Sequence, residues 1–182
     1  DFHLGSPTLK DSHKREKLIV SSLNEIEKDA KAIYLVGDIF DFWFEYKKVI
    51  PKGFVRFLGK LAELTDNGIA IHLFVGNLDL WMQDYLEKEV GIKVQHDNIT
   101  IREGQKEIFI GHGDGLGKGD YFYKLLRKIF TSKICQWIFA RMHPNFAFSL
   151  AHTWSKSSRK SGANFISKEK EILYGYCKEQ QS

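Results

Sequence analysis

Cysteine is scarce in this sequence: Cys135 and Cys177 are the only two among 182 residues, and they lie far apart. A disulfide framework is therefore not expected, and both side chains read as the reduced thiols of a cytosolic protein. No stretch approaches the roughly 20 apolar residues that a membrane-spanning helix needs. There is no internal repeat or low-complexity tract, and the length suits one domain with a sizeable core. No charged-then-apolar leader is evident, and a chain opening on aspartate is expected to have lost its true start. Acid is nearly missing from one region. From Leu116 to Lys160, nine Lys and Arg stand against Asp120 alone, so this segment carries +8 in a chain of net +4 and the remainder carries −4. A basic, aromatic-rich segment beside an acidic remainder points to an anionic partner.

What is present is organised around Ala32–Asp41, AIYLVGDIFD. Its five leading apolar residues predict a strand buried on both faces. Gly37 breaks the run, and Asp38 and Asp41 follow. A carboxylate at the carboxyl end of a buried strand stands where α/β folds place their chemistry. It is costly there without a cation or a donor, which points to a metal. Two further apolar runs end in the same way. Ile69–Val75 meets Gly76-Asn77-Leu78-Asp79, and Lys106–Ile110 meets Gly111-His112-Gly113-Asp114, while the chain opens on Asp1-Phe2-His3.

Between these runs the periodicity is helical. Lys10–Ala30 repeats Leu18, Ile19, Ser22, Leu23 and Ile26, and Phe54–Leu64 places Phe54, Phe57, Leu58, Leu61 and Leu64 on one face. A shorter helix is predicted over Leu80–Val90, with Gly91 ending it, then strands over Ile92–Gln95 and Asn98–Arg102 and a turn at Glu103–Lys106. The alternation predicts a layered α/β architecture. Beyond Gly115 only helices are expected: Tyr121–Phe130, Ile134–Met142 and Phe146–Trp154. A mobile loop over Ser155–Ser167 and a last helix over Lys168–Gln180 complete the chain. The basic segment 116–160 reads as a helical cap inserted in a single domain spanning residues 1–182.

Asp, Asn and His offer hard or borderline donors suited to Mn, Fe, Zn or Mg. A bridging carboxylate holds two such ions about 3.5–4 Å apart, an arrangement that activates water and clamps a phosphoryl group. Asp38, after the central strand, is the natural bridge. Asp1 and His3 alternate along an extended segment and can face one ion, and Asn77 and His112 the other. Asp41 and Asp114 read as residues that orient a ligand or a loop. Singly, each signal has a bland explanation: Asn77 a turn former, His112 a satisfied histidine, a Gly-Asp after a strand a turn. Four together, each at a strand end, favour the metal. His72 reads as a core residue within a strand, and His96, His143 and His152 have no matching partners.

Taken in order, Asp1-Phe2-His3, Gly37-Asp38-Ile39-Phe40-Asp41, Gly76-Asn77-x-Asp79 and Gly111-His112-Gly113-Asp114 resemble the calcineurin-like metallophosphoesterase family. The resemblance implies a four-layered α/β/β/α sandwich and two divalent ions, Mn foremost. Asp1, His3 and Asp38 would hold one ion and Asp38, Asn77 and His112 the other, with Asp41, Asp79 and Asp114 supporting them. Asp38, Asn77 and His112 would be the catalytic set. A narrower resemblance is carried by Phe40-Asp41-Phe42-Trp43, HGDGLGKGDYFYK and the basic cap. It is to the branch that cleaves the diphosphate of a nucleotide-sugar lipid in lipid A synthesis. That implies a cytoplasmic enzyme at the inner membrane surface, with no nucleic-acid partner. Asn77, Leu78, Asp120, Ser155, Lys156, Arg159 and Lys160 would contact substrate. Apolar helices with a cationic rim suit two acyl chains and a diphosphate, although for any single aromatic there ordinary core packing is the simpler reading.

Two departures stand out. The family closes its site with a C-terminal Gly-His-x-His, one ligand for each ion, and this chain ends at Ser182 without it. A fragment, or a chain whose ends lie outside this sequence, is therefore expected. Leu78 stands where the family has His, or Arg in the lipid A branch, to stabilise the phosphoryl group or protonate the leaving oxygen. A general metallophosphoesterase acting on a soluble phosphodiester or nucleotide, and a catalytically impaired metal- or head-group-binding protein, remain the alternatives.

Overall fold

The computed structural model describes residues 1–6, 8–116, 121–161 and 172–181, with the side chains of residues 9, 122, 154–161, 172–173 and 179–181 outside the description. The chain separates into two compact units, Asp1–His112 and Gly113–Ser182.

The first unit is mixed α/β. Its elements are α1 (Leu9–Ile26), β1 (Ala32–Val36), α2 (Val55–Asp66), β2 (Ala70–Phe74), α3 (Tyr85–Val90), β3 (Lys93–Gln95), β4 (Ile99–Glu103) and β5 (Lys106–Ile110). Strands β1, β2 and β3 form a parallel sheet in that order, with Ala32 opposite Ala70 and Val36 opposite Phe74. In-register parallel strands end together, so the segments after Val36 and Phe74 leave the sheet at one edge. Among the described residues strand β5 pairs only with β4, as an antiparallel hairpin, and leaves Ile108 and Phe109 exposed.

Burial on β1 corrects the expectation of a strand covered on both faces. Ile33 and Leu35 are buried, Tyr34 is half-buried and Val36 is exposed. Ile19 and Leu23 of α1 and Phe57, Leu61 and Leu64 of α2 share one core with Ile33, Leu35, Ile71 and Leu73. On the other face Tyr34 stacks on His72 with ring centroids 4.9 Å apart. His72 is thus half-buried at the sheet surface and outside the hydrophobic core, and burial lowers its pKa.

Helix α1 also turns a different face inward from the one its aliphatic residues suggest. Leu18 and Ile26 are exposed, and the buried stripe is Ser12, Glu16, Ile19 and Leu23. The two polar members have partners that only the fold supplies. Ser12 Oγ accepts the Gly5 N–H at 2.8 Å. Glu16 accepts the N–H groups of Arg56 and Phe57 at 2.9 and 3.1 Å, capping α2, whose own N-cap Phe54 is left-handed (φ 59) and makes no side-chain cap bond. Glu45 does the same for α3, accepting from Asp84 N and Tyr85 N at 2.9 and 3.1 Å and from Trp43 Nε1 at 2.9 Å. The predicted helix over Leu80–Val90 shortens accordingly to Tyr85–Val90. Of the aromatic run, Phe40, Trp43 and Phe44 are core residues, with Phe40 against Trp43 at 4.4 Å and against Phe54 at 5.0 Å.

The second unit, among its described residues, is helical: α4 (Tyr121–Phe130), α5 (Lys133–Phe139), α6 (Pro144–Ser161) and α7 (Ile172–Gln181). The loop expected from Ser155 is corrected in part, since α6 runs on to Ser161 and residues 162–167 lie outside the description. Lys and Arg are good helix formers and nothing breaks the run before Gly162. Apolar side chains remain exposed at helical spacing: Tyr121, Leu125 and Ile129 on α4, Ile134, Trp137 and Ile138 on α5, and Phe146 and Leu150 on α6. Arg141 lies over the Trp137 ring, 3.6 Å from its centroid.

Replacing Glu16 with alanine leaves two helix N–H groups buried without an acceptor. The expected loss is about 2 kcal/mol of unfolding free energy, read from urea denaturation. An unchanged midpoint would show that α2 does not depend on this remote cap.

Candidate metal centre

Glycine geometry brings the strand-end segments together. Gly37 has a φ of +77, and a Cβ there would overlap the His112 ring and sit 3.0 Å from Gly76 Cα. A Cβ on Gly76 would overlap the backbone nitrogen and Oδ1 of Asp38. Both positions need a residue without a side chain. Asp38 itself is left-handed (φ 48), as is His3 (φ 45), and such non-glycine conformations persist only where neighbours hold them. Here the N–H groups of Phe2 and His3 both donate to the Asp38 carbonyl at 3.0 Å. Leu4 N–H donates to Ile39 O at 2.9 Å, and Asp41 N–H to Leu4 O at 2.8 Å.

Three potential ligands converge as a result. Carboxylate oxygens of Asp1 and Asp38 and a ring nitrogen of His112 all lie within 4.8 Å of one another. His112 Nδ1 is 3.0 Å from the Val36 carbonyl. A carbonyl only accepts, so Nδ1 is the donor there, and in the neutral ring this leaves the Nε2 lone pair for a ligand, 3.7 Å from Asp38 Oδ1. Asn77 lies against the same carboxylate. With its nitrogen turned inward it donates to Asp38 Oδ1 and Oδ2 at 3.0 and 2.7 Å. With its oxygen turned inward, that oxygen is 3.4 Å from His112 Nε2. Oxygens so close to a carboxylate repel unless a cation lies between them, so the amide's orientation and a bound metal are linked. Carboxylate oxygens, an amide oxygen and a neutral imidazole are together a fit for Mn, Mg, Zn or Fe.

Asp79 is fully buried and joins the two strand-end segments, accepting from Ile39 N at 2.9 Å, Phe40 N at 3.2 Å and Gly76 N at 2.6 Å. Burial pushes its carboxyl up to about 7, the charge of Asp38 adds to the rise, and the three backbone donors oppose it. Leu78 N–H donates to Asp38 Oδ1 at 3.0 Å, and its hydrocarbon side chain is half-buried.

Of the predicted set, Asp1, Asp38, Asn77 and His112 come together. His3 joins through its backbone, and its imidazole is outside the converging trio. Asp41 is buried beside the same turn. Asp114 belongs to the second unit and binds Tyr123 Oη at 2.6 Å and Arg127 Nε at 2.8 Å. The acceptor that orients His112 is the Val36 carbonyl. Asp120 lies outside the described residues, as do the side chains of Ser155, Lys156, Arg159 and Lys160, whose backbone is in α6. Sequence reasoning missed Arg15, which donates to the carbonyls of Phe2, His3 and Ser6. A charged residue on a helix otherwise reads as solvated.

Gly76→Ala is expected to weaken Mn²⁺ binding by at least about tenfold, read by titration calorimetry. Unchanged affinity would show that the close approach of Gly76 to Asp38 is not required.

No protein-family model matches the chain. Among curated proteins it is similar to the UDP-2,3-diacylglucosamine hydrolase of Porphyromonas gingivalis, 42% identical over 163 residues, which is 89% of this chain and 62% of that protein. The Vibrio vulnificus protein of the same name is 32% identical over 63% of this chain and 46% of its own length, and that of Pseudomonas putida 28% over 72% and 55%. The chain thus spans less than two thirds of the length of these relatives. In its ordered Asp-x-His, Gly-Asp-x-x-Asp, Gly-Asn-x-Asp and Gly-His-Gly-Asp segments the chain resembles the calcineurin-like metallophosphoesterases, and over most of its length it is similar to the UDP-2,3-diacylglucosamine hydrolases.

Proposed function

We propose that the whole protein hydrolyses the diphosphate of UDP-2,3-diacylglucosamine, releasing UMP and 2,3-diacylglucosamine 1-phosphate for lipid A synthesis. The observation that carries this reading is the convergence of Asp1, Asp38 and His112, with Asn77 against Asp38, at one edge of a parallel sheet. The identity to proteins of that name agrees with it. Two divalent ions, Mn foremost, held by Asp1, His3, Asp38, Asn77 and His112, would supply Lewis-acid stabilisation of phosphoryl charge and a nucleophile from water at neutral pH. The chain's own contribution is to hold the ligands. Val36 keeps the proton on His112 Nδ1, Asp79 fixes the backbone of both strand-end segments, and the left-handed turn at Asp38 aims its carboxylate at its neighbours.

The finer architecture follows from the same reading: a four-layered α/β/β/α sandwich with residues 116–160 as a helical cap. Exposed apolar stripes on α4, α5 and α6, with Lys124, Lys128 and Lys133 on these helices and Arg141 just beyond α5, support acyl-chain contact and a place at the inner membrane surface on its cytoplasmic side. No helix among the described residues is long and apolar enough to cross a membrane. Asp120, Ser155, Lys156, Arg159 and Lys160 are the proposed head-group contacts, and Asn77 and Leu78 border the reacting phosphate. The leucine side chain there offers no hydrogen bond and no charge, and loss of one such stabiliser typically costs about 10²–10³ in rate.

UMP release by the whole protein with added Mn²⁺ tests the proposal, with Leu78→His measured alongside. Slow turnover in the parent and a rise of about 10²–10³ with histidine are expected, abolished by chelator and restored by Mn²⁺. Cleavage of a simple phosphodiester without UMP release would replace this reading with a general phosphoesterase. Silence in both forms with metal bound would make it a binding protein.

A further inference from the structure

We infer that Arg15 is a positioning residue for one half of the metal centre, an inference that rests on the two-metal reading above. Arg15 projects from α1 toward the turn that carries Asp1 and His3. Its Nη1 donates to Phe2 O at 2.9 Å and to His3 O at 3.3 Å, and its Nη2 donates to Ser6 O. One planar fork thus gathers three carbonyls of a single turn, which suits a guanidinium and not a compact ammonium. Among the described residues no carboxylate lies within ion-pair distance of Arg15, so the hydrogen bonds it makes there all go to that turn.

The turn needs such a partner. His3 sits at φ 45, a conformation that few non-glycine residues adopt. On its amide side it is held by the Asp38 carbonyl at 3.0 Å, and on its carbonyl side by the Ser6 N–H at 3.2 Å together with Arg15 at 3.3 Å. One turn earlier on α1, Ser12 holds Gly5 N–H at 2.8 Å, so this helix grips the segment at two heights. Asn77 and His112 are held differently. His112 is oriented by the Val36 carbonyl, and Asn77 follows Gly76, whose N–H is bound to Asp79; none of these groups is an Arg15 partner. Removing the guanidinium therefore loosens Asp1 and His3 and leaves the Asn77–His112 side as it was. The two ions then separate in affinity.

The test is Mn²⁺ binding to the whole protein, followed by titration calorimetry and by electron paramagnetic resonance, which distinguishes a spin-coupled Mn²⁺ pair from single ions. Arg15→Ala is compared with Arg15→Lys, and with Glu16→Gln, one residue on, which alters the cap of α2 and touches no ligand segment. The parent is expected to show the coupled pair. Arg15→Ala should lose the coupled signal near stoichiometric Mn²⁺, keep one tight ion, and bind the other about 10–100-fold more weakly. Arg15→Lys should do the same in a milder degree, and it carries the test if the alanine variant does not fold. Glu16→Gln should keep the coupled pair at a lower melting temperature. A coupled pair of unchanged affinity in both Arg15 variants would overturn the inference and leave the metal reading standing. Equal weakening of both ions in the Arg15 and Glu16 variants would also overturn it, by making Arg15 merely structural. A parent that binds no ion pair would remove the two-metal reading, and this inference with it.

Discussion

Asp38 is reached by three segments at once, and the left-handed backbone that allows this is the constraint from which the rest of the site follows. Its carbonyl takes the N–H groups of Phe2 and His3, which brings the N-terminal segment alongside. Its carboxylate takes the Leu78 N–H and faces Asn77 and His112, which brings in the end of β2 and the end of the hairpin. A non-glycine residue at positive φ costs of order 1–3 kcal/mol, and it persists where the surroundings over-determine it. Here two N–H groups on one carbonyl and three on the adjoining Asp79 do so.

Buried carboxylates recur as fasteners in the first unit. Asp79, Glu16 and Glu45 each accept backbone N–H groups from a segment distant in sequence, and Glu45 also accepts the Trp43 indole. Taking an ionised carboxylate out of water is costly unless donors replace the water. Helix N-termini and turns are where unpaired donors are available. The arrangement solves both problems with one group, and it links α1 to α2, the aromatic turn to α3, and the ends of β1 and β2 to each other. The metal ligands stand on segments fixed in this way.

Much of this frame was legible in the sequence. The apolar runs of β1 and β5 end where predicted and that of β2 one residue sooner, and the glycine that follows β1 and β2 is there for a reason a sequence can suggest: another group occupies the space a Cβ would take. The convergence of Asp38, Asn77 and His112 was likewise readable from their shared position after apolar runs, and that of Asp1 from its spacing to His3 at the opening of the chain. What could not be read is polar burial. Ser12 and Glu16 look like a solvated face of α1 until the Gly5 amide and the start of α2 arrive to use them. The Val36 carbonyl has no sequence signal at all, because every residue has one. Phe40 and Trp43 drew attention as part of a family motif, and the fold spends them on its core. At α6 the composition of a loop concealed a helix, since Ser and Lys serve on either.

Anomalous diffraction from crystals grown with Mn²⁺ tests the central claim most directly. The account predicts two peaks about 3.5–4 Å apart, with the Asp38 carboxylate between them, His112 Nε2 directed at one of them and the Asn77 amide turned oxygen-inward. Crystals saturated with Mn²⁺ that show no peak at Asp38, with the Asn77 nitrogen still donating to its carboxylate, would contradict it.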